Sequence, residues 1–268
     1  MPLVLPAILS VPSLSPTNII LLIVISLIGG IGITAIGPGG VLVTIALFAF
    51  TDLSPAEVAG TAIVTHIGTG IVGSLAFLHS GQLREPRTRR LSLVLAIAAV
   101  VGTPIGVLIN SRVSSSQFGI MLAVFVMVVG LSVVAREIYS RKHVEDPKGG
   151  SDDTLPQATI GGVVAVASGI FGIGGPMISV PVMVIAGFPL LMALAAAQAQ
   201  SVLVAAAGTV SYLVHGSISW PLVVITGIPE MIGVWLGWKL AHALPTRPLK
   251  YLLAAALIVL GPVLLARG

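Results

Sequence analysis

The chain has 268 residues, of which 56% are hydrophobic and only 8% are charged, and its mean hydropathy is +1.10. A soluble domain carries about 25% charged residues, so this composition excludes a soluble globular protein and indicates an integral membrane protein. The excess of basic over acidic residues, 13 against 9, is typical of cytoplasmic loops, and we expect no nucleic-acid partner. The absence of cysteine excludes disulfides, thiolate nucleophiles and cysteine-ligated metals.

The first half of the chain contains four apolar segments of about the length that crosses a bilayer, roughly 20 residues, and one shorter piece. Residues 1–16 contain no Lys or Arg, so they lack the charged region of a cleavable signal peptide, and the first long segment is expected to direct insertion. The predicted segments are A (19–36), a short piece that ends at residue 50, B (55–78), C (91–110) and D (117–139).

A polar linker, residues 140–154, separates this half from a second one with the same order of segments. We therefore predict a first transmembrane repeat at 1–139, a cytoplasmic linker at 140–154 and a second transmembrane repeat at 155–268. The segments of the second half are A′ (155–171), a short piece that ends at residue 187, B′ (189–214), C′ (220–244) and D′ (249–266).

Both halves carry a glycine-rich motif directly after their first segment. The motif of the first half recurs 135 positions later. The same offset, without a gap, also pairs residues of segment B with residues of segment B′. From segment C onward an offset of 131 pairs further glycines. Such a register indicates an internal repeat. The paired glycines of the motif are Gly37 and Gly172, Gly39 and Gly174, and Gly40 and Gly175.

The charged loops predict that the two halves have opposite orientations, because cytoplasmic loops collect Lys and Arg. The B–C loop and the linker are basic, whereas in the second half the basic residues lie between C′ and D′ instead of between B′ and C′. We predict an all-α polytopic membrane protein of two inverted repeats with roughly eight to ten membrane segments. The basic residues of these loops are Arg84, Arg87, Arg89 and Arg90 in the first half and Lys239, Arg247 and Lys250 in the second.

The two glycine motifs predict discontinuous or re-entrant helices at the membrane midplane. Irregular backbone at that depth is tolerated only where protein or a water-filled cavity satisfies its polar groups, so paired breaks indicate a transport site. A helix that restarts after a glycine presents free N–H groups and the positive end of its dipole, which suits an anion. The alternative is close helix packing through small residues. The candidate residues are Gly37, Gly39, Gly40, Gly172, Gly174 and Gly175.

Segments B and B′ add polar side chains at matching positions. Threonines recur every four residues in B and share one helix face, with His66 beside it. Their hydroxyl and amide counterparts in B′ could hold an oxyanion without a buried fixed charge. The alternative, in particular for Thr69 and Thr209, is a hydrogen bond to the helix's own carbonyls. The candidates for substrate binding are Thr61, Thr65, His66, Gln198, Gln200 and Ser201.

His66 and Glu230 are the ionisable residues expected inside the membrane, where such groups are candidates for proton coupling. Ala99 stands at the position that corresponds to Glu230, so this feature belongs to one half only. The alternative for Glu230 is a carboxylate paired locally or facing water near Pro229.

No enzyme motif stands out. The chain lacks a His-Glu-x-x-His pair, a Gly-x-Ser-x-Gly elbow and a phosphate-binding loop, and its acidic residues are too few for a convincing metal cluster. We therefore predict no enzymatic activity, cofactor or metal. The alternative is an intramembrane enzyme or assembly factor, although no residue stands out as a nucleophile.

Four features together resemble the sulfite exporter family of membrane permeases, TauE/SafE. They are Gly172-Ile-Gly-Gly-Pro followed by Pro181, the Ala-rich stretch 193–207, the earlier Gly37-Pro-Gly-Gly stretch, and the glycine pattern shared by C and C′. The resemblance covers nearly the whole chain. The first half has Ala46 where the second has Pro181, and residues 197–201 read Ala-Gln-Ala-Gln-Ser where many relatives place a Thr-Ser pair, which leaves the substrate open.

The resemblance implies export of small sulfur-containing anions, such as sulfite or organosulfonates, across a bacterial inner membrane with coupling to the proton gradient. The expected partners are a small anion, protons and the lipid bilayer, and the expected assembly is a monomer or homodimer in the inner (plasma) membrane. The residues themselves indicate an anion site between inverted halves, and only the resemblance indicates sulfur. The alternatives are a passive anion channel and a transporter of another small organic anion, such as a carboxylate.

Overall fold

The computed structural model describes residues 14–35, 37–142, 150–243 and 246–265. Within these ranges the chain forms ten α-helices, two single turns of 3₁₀ helix and no β-strand, which confirms the predicted all-α class for the described residues. The helices are α1 (Pro16–Ala35), α2 (Val41–Phe50), α3 (Pro55–His79), α4 (Pro86–Asn110), α5 (Ser115–Lys142), α6 (Thr154–Phe171), α7 (Pro176–Ile185), α8 (Leu190–Val214), α9 (Trp220–Ala243) and α10 (Thr246–Leu265).

Helix α3 shows how local sequence fixes a boundary. The Ser54 hydroxyl accepts a hydrogen bond from the backbone N–H of Glu57, and the Glu57 carboxylate accepts one from the backbone N–H of Ser54 at 2.9 Å. Pro55 occupies the first helical position, where its missing N–H has no cost. This capping box begins the helix at the residue predicted for segment B.

Seven helices of the described chain, α1, α3 to α6, α8 and α9, are long and apolar enough to cross a membrane. In six of them less than half of the apolar stretch is buried inside the protein, and Leu93, Ile97 and Val101 of α4 are each more than 60% exposed. An outer surface this apolar requires lipid, so the chain is a multi-pass membrane protein. The short helices α2 and α7 have 10 residues each, too few to span alone, and segment D′ corresponds to α10.

The most extensive helix contacts join the two halves of the chain. Helix α4 packs along α6 and α1 along α9, while α3 pairs with α8 and α5 with α10. Because α6 to α10 repeat the order of α1 to α5, α4 and α9 are corresponding helices, and each packs against the first helix of the other half. The halves are therefore interlocked through their membrane-spanning helices.

Glycines allow this close approach. A Cβ on Gly169 of α6 would collide with the Thr103 carbonyl oxygen of α4 and would lie 3.0 Å from the Gly106 Cα. On the other side of the molecule, a Cβ on Gly233 of α9 would lie 3.0 Å from the Gly30 Cα of α1. Small residues at these contacts let the helix backbones touch, which is how helices associate in lipid.

The predicted linker lies partly outside the described residues, at 143–149. Its last residues return to the start of α4, where the Arg87 Nε donates to the Asp152 Oδ1 at 2.7 Å and an Arg87 terminal nitrogen donates to the Gly150 carbonyl oxygen at 2.7 Å. Arg90 donates to the Thr154 hydroxyl at 3.1 Å. The B–C loop and the end of the linker, predicted to share one side of the membrane, thus lie together.

Candidate functional site

The glycine motifs occupy the intervals between two pairs of helices. After α1 ends, Gly37 adopts a φ of +118° and the 3₁₀ turn Pro38–Gly40 leads into α2. After α6 ends, Gly172 adopts a φ of +67° and the chain enters α7 at Pro176. A side chain disfavours positive φ, so both turns depend on glycine at their first position. The corresponding residues Gly37 and Gly172 therefore redirect the chain in both halves.

A small cavity lies where these two intervals meet helices α3 and α8. Its volume is about 20 Å³, counted as the space that the centres of water molecules can occupy. That is room for about one or two waters. Its wall therefore draws on both halves of the chain and on both glycine motifs. The residues that line it are Ile33, Gly37, Gly40, His66, Thr69, Gly174, Pro176, Met177, Gln198 and Ser201.

His66 lies in the wall of this cavity, in direct contact with the glycine motif of its own half. A Cβ on Gly40 would come within 2.6 Å of the His66 Cε1, so only a glycine lets the backbone approach the imidazole this closely. The His66 Nδ1 lies 3.4 Å from the Glu230 Oε1, and the two side chains are 2% and 0% exposed. The His66 Nε2 has no hydrogen-bond partner among the described residues. The predicted coupling residues, from α3 and α9, therefore form one buried pair.

Gln198 and Ser201 supply the polar groups of α8 in the cavity. Within the described chain neither side chain forms a hydrogen bond, although they are only 8% and 2% exposed. A Cβ on Gly174 would lie 2.9 Å from the Ser201 Oγ, so the second glycine motif also leaves room for a polar side chain. An amide and a hydroxyl without protein partners in a buried cavity can bind a ligand or water.

Thr69 lines the cavity, but its hydroxyl donates to the His66 carbonyl at 3.2 Å, as the backbone-bonding alternative predicts. Thr65 likewise donates to the Ala62 carbonyl at 2.8 Å, and it is near the Glu230 carboxyl without lining the cavity. Thr61 accepts a hydrogen bond from the backbone N–H of Ser219 at 3.0 Å. The three threonines of α3 therefore share a face, but only Thr69 reaches the cavity.

Gln200 is fully buried behind the cavity wall and holds neighbouring helices together. Its Oε1 accepts from the Ser179 hydroxyl of α7 at 2.6 Å, and its Nε2 donates to the Gly161 carbonyl of α6 at 3.1 Å. These bonds use both ends of its amide. Gln200 thus lies beside the site in sequence but serves helix packing in the structure.

Three of the predicted glycines also lie outside the cavity lining. Gly39 packs against α1, where a Cβ would lie 2.6 Å from the Gly32 carbonyl carbon, and Gly172 packs equally closely against the Ala59 backbone of α3. Gly175 has ordinary contacts with α8, the nearest at 3.4 Å from its added Cβ. Six predicted binding residues thus line the cavity, namely Gly37, Gly40, His66, Gly174, Gln198 and Ser201.

Residue patterns did not single out the apolar part of the lining. Ile33, Pro176 and Met177 complete the wall, and only the position of Pro176 directly after the second glycine motif gave a signal. Among the described residues, no three His, Asp or Glu side chains come together in a metal-binding group.

A multi-pass helical fold with a small cavity between its halves is the architecture expected of a membrane transporter. The chain belongs to the TauE/SafE sulfite exporter family, whose model matches residues 21–264. It is 27% identical to the probable membrane transporter protein YunE of Bacillus subtilis, over 94% of this chain and 98% of that protein. It is 25% identical to a probable membrane transporter protein of Methanocaldococcus jannaschii, over 90% and 93% of the two chains. No solved structure matches the chain significantly.

Proposed function

We propose that this chain is a secondary transporter that exports small sulfur-containing anions, such as sulfite or organosulfonates, by proton-coupled alternating access. The observation that carries the proposal is the cavity where both glycine motifs meet unpartnered polar groups of α3 and α8. The family to which the chain belongs supports a sulfur-containing anion. The protein acts in the inner (plasma) membrane.

The polar groups of the cavity suit an oxyanion. The Gln198 amide and the Ser201 hydroxyl can donate hydrogen bonds, and among the described residues no Lys or Arg lines the cavity. Neutral donors hold an anion without the cost of a buried permanent charge, so the anion can also leave. A carboxylate presents similar oxygens, and it is the alternative substrate class.

The His66–Glu230 pair is the proposed site of proton coupling. The two groups belong to different halves of the chain, they are buried, and His66 also lines the cavity. An ionisable group inside a membrane typically marks a proton relay. Uptake or release of a proton by this pair changes the charge beside the anion and the attraction between α3 and α9, and thereby links proton movement to anion movement.

The small size of the cavity favours a transporter over the alternative of a passive channel. At about 20 Å³ it has room for only one or two waters, as expected for a site that widens when it opens to one side. We infer that the two halves are inverted repeats with their glycine turns at the midplane. The reciprocal packing of α4 on α6 and of α9 on α1 supports this arrangement.

The proposal is tested by ligand-induced stabilisation of the purified protein, because a ligand that binds the folded state raises its apparent stability. Sulfite, thiosulfate, sulfoacetate, taurine, acetate and chloride are compared in thermal unfolding and in flux into proteoliposomes. We expect a selective upward shift and saturable flux for a sulfur-containing anion, both weakened in Gln198→Ala. Gln117→Ala, at the exposed start of α5, is the control and keeps both. Equal responses of the two variants, or no anion-dependent shift or flux, would contradict the proposal.

A further inference from the structure

A second feature of the molecule is a groove at the start of α4, on the outer side of α8. Its volume is about 690 Å³, and it is open along one side. Three arginines flank one end, and apolar side chains of α4 and α8 form the remaining wall. The residues that define it are Arg84, Arg89, Arg90, Leu93, Ala96 and Leu203.

Among the described residues, the three arginines have no acidic partner. Within the described ranges no carboxylate lies within ion-pair distance of any of them, since Asp152 pairs with Arg87 and the Glu85 carboxylate accepts from the Thr88 hydroxyl. Within the described part of the chain, the hydrogen bond of the Arg90 side chain goes to the neutral Thr154 hydroxyl. Arg89 and Arg90 also belong to the first turns of α4, where the helix dipole disfavours cations. This concentration of positive charge favours the binding of an external anion.

Apart from Ser92, whose hydroxyl donates to the Thr88 carbonyl, the rest of the groove is apolar and continues onto the surface that faces lipid. Leu93 is 62% exposed at the groove, and Ile97, one turn further along α4, is 61% exposed. Ala96 and Ala199 are small, and they leave the space between α4 and α8 unfilled. A charged end followed by an apolar channel along two membrane helices has the shape and polarity of one lipid molecule.

We propose that this groove binds an anionic phospholipid. Its phosphate is held by Arg84, Arg89 and Arg90, whose guanidinium groups match phosphate geometry, and one acyl chain runs along Leu93, Ala96 and Leu203. Basic pockets between membrane helices on the cytoplasmic side bind lipid headgroups in this way. Ala199 of the groove lies between Gln198 and Gln200 on α8, so the bound lipid braces the helix that holds the cavity donors.

A second groove, at the other end of α4, provides an internal comparison. Its volume is about 520 Å³, and it contains a single arginine, Arg112, beside Ile109, Val113 and Ile120. Both grooves have apolar walls, but only the first one concentrates positive charge. Arg112 is exposed as Arg89 is, so Arg112→Gln controls for the loss of an exposed arginine beside a groove.

The test measures lipid retention by native mass spectrometry and thermal unfolding of the purified full chain. The protein is supplied in detergent with dioleoyl phosphatidylglycerol or dioleoyl phosphatidylcholine. We expect the wild type to retain one phosphatidylglycerol preferentially and to unfold several degrees higher with it. Arg89→Gln combined with Arg90→Gln abolishes this preference, whereas Arg112→Gln keeps it. Equal retention of the two lipids by the wild type, or an unchanged preference in the double variant, would overturn the proposal.

Loss of arginines could change membrane insertion, because basic loops set topology. Ala96→Trp therefore fills the groove and leaves every arginine in place. It is expected to lose phosphatidylglycerol retention while it unfolds near the wild-type temperature in detergent alone. In a second experiment, inorganic phosphate is added in place of the lipid and thermal unfolding is measured. If phosphate alone reproduces the stabilisation by phosphatidylglycerol, or if Ala96→Trp retains the lipid, the groove is not a phospholipid site. Neither measurement depends on the transport activity proposed above.

Discussion

Helices α3 and α8 occupy corresponding places in the two halves, yet the side chains at corresponding positions have different roles. His66 and Ser201 both line the cavity, but only His66 meets a carboxylate. Thr65 bonds to its own helix, whereas its counterpart Gln200 joins α8 to α6 and α7. The halves therefore share a plan of helices and turns, while the chemistry of the site depends on residues that occur in one half only.

The glycine motifs differ in the same way. An added Cβ at Gly40 would lie 2.6 Å from the His66 ring, whereas one at the corresponding Gly175 would lie no closer than 3.4 Å to its neighbours. Gly40 is therefore required by the position of the His66 ring, and Gly175 has room for a methyl group. This asymmetry can be tested by identical substitutions in the two halves.

The largest effect is expected from Gly40→Ala. The methyl group displaces the His66 ring from the cavity and from Glu230, and small displacements in a site can lower a rate by about tenfold or more. Gly175→Ala is the matched control and should keep most of the flux. The measurement is anion flux into proteoliposomes at equal protein incorporation. Equal losses in the two variants would show that the two motifs are equivalent.

A smaller effect is expected from Gly169→Ala, which places a methyl group against the Thr103 carbonyl at the contact of α6 with α4. Overpacking of this kind costs about 1–3 kcal/mol. Gly162 lies on the same helix with no atom within 4 Å of an added Cβ, so Gly162→Ala should be neutral or slightly stabilising. Thermal unfolding in detergent compares them, and an equally stable Gly169→Ala would rule out the close contact.

Gln198 and Gln200 should separate binding from stability. Gln200→Ala removes two interhelical hydrogen bonds and leaves a cavity, with an expected loss of about 2 kcal/mol. Gln198→Ala breaks no hydrogen bond within the described protein, and it should weaken the anion response with little change in stability. Unfolding curves with and without the anion measure both quantities. A reversed pattern would assign Gln200 to the binding site.

The smallest effect is expected from Thr61→Ala, which removes the hydrogen bond from the Ser219 N–H. Single hydrogen bonds in membrane proteins contribute about 0.6 kcal/mol on average. The corresponding residue of the second half is Ala196, so the repeat accepts a methyl group at this position. Thr61→Ser should restore the stability measured by thermal unfolding, whereas a strong loss of anion flux in Thr61→Ala alone would indicate a direct role in transport.

Sequence patterns predicted those parts of the fold that depend on local chemistry. Apolar length located the long helices, the start of segment B at Pro55 matches the start of α3, and paired glycines located both turns. The contact between His66 and Glu230 was not predicted, because it depends on how α3 packs against α9 and not on either helix alone. The role of Gln200 depends in the same way on Ser179 and Gly161 of other helices.

The most direct test of the account is anion flux driven by an imposed pH gradient in proteoliposomes, with the wild type and Glu230→Gln compared side by side. The substitution keeps the size of the side chain and removes its ability to exchange a proton. If Glu230 couples protons to anions, the gradient accelerates anion flux in the wild type and has no effect on Glu230→Gln, which still shows anion-dependent stabilisation. A variant that responds to the pH gradient as the wild type does would contradict the assignment of Glu230 to proton coupling.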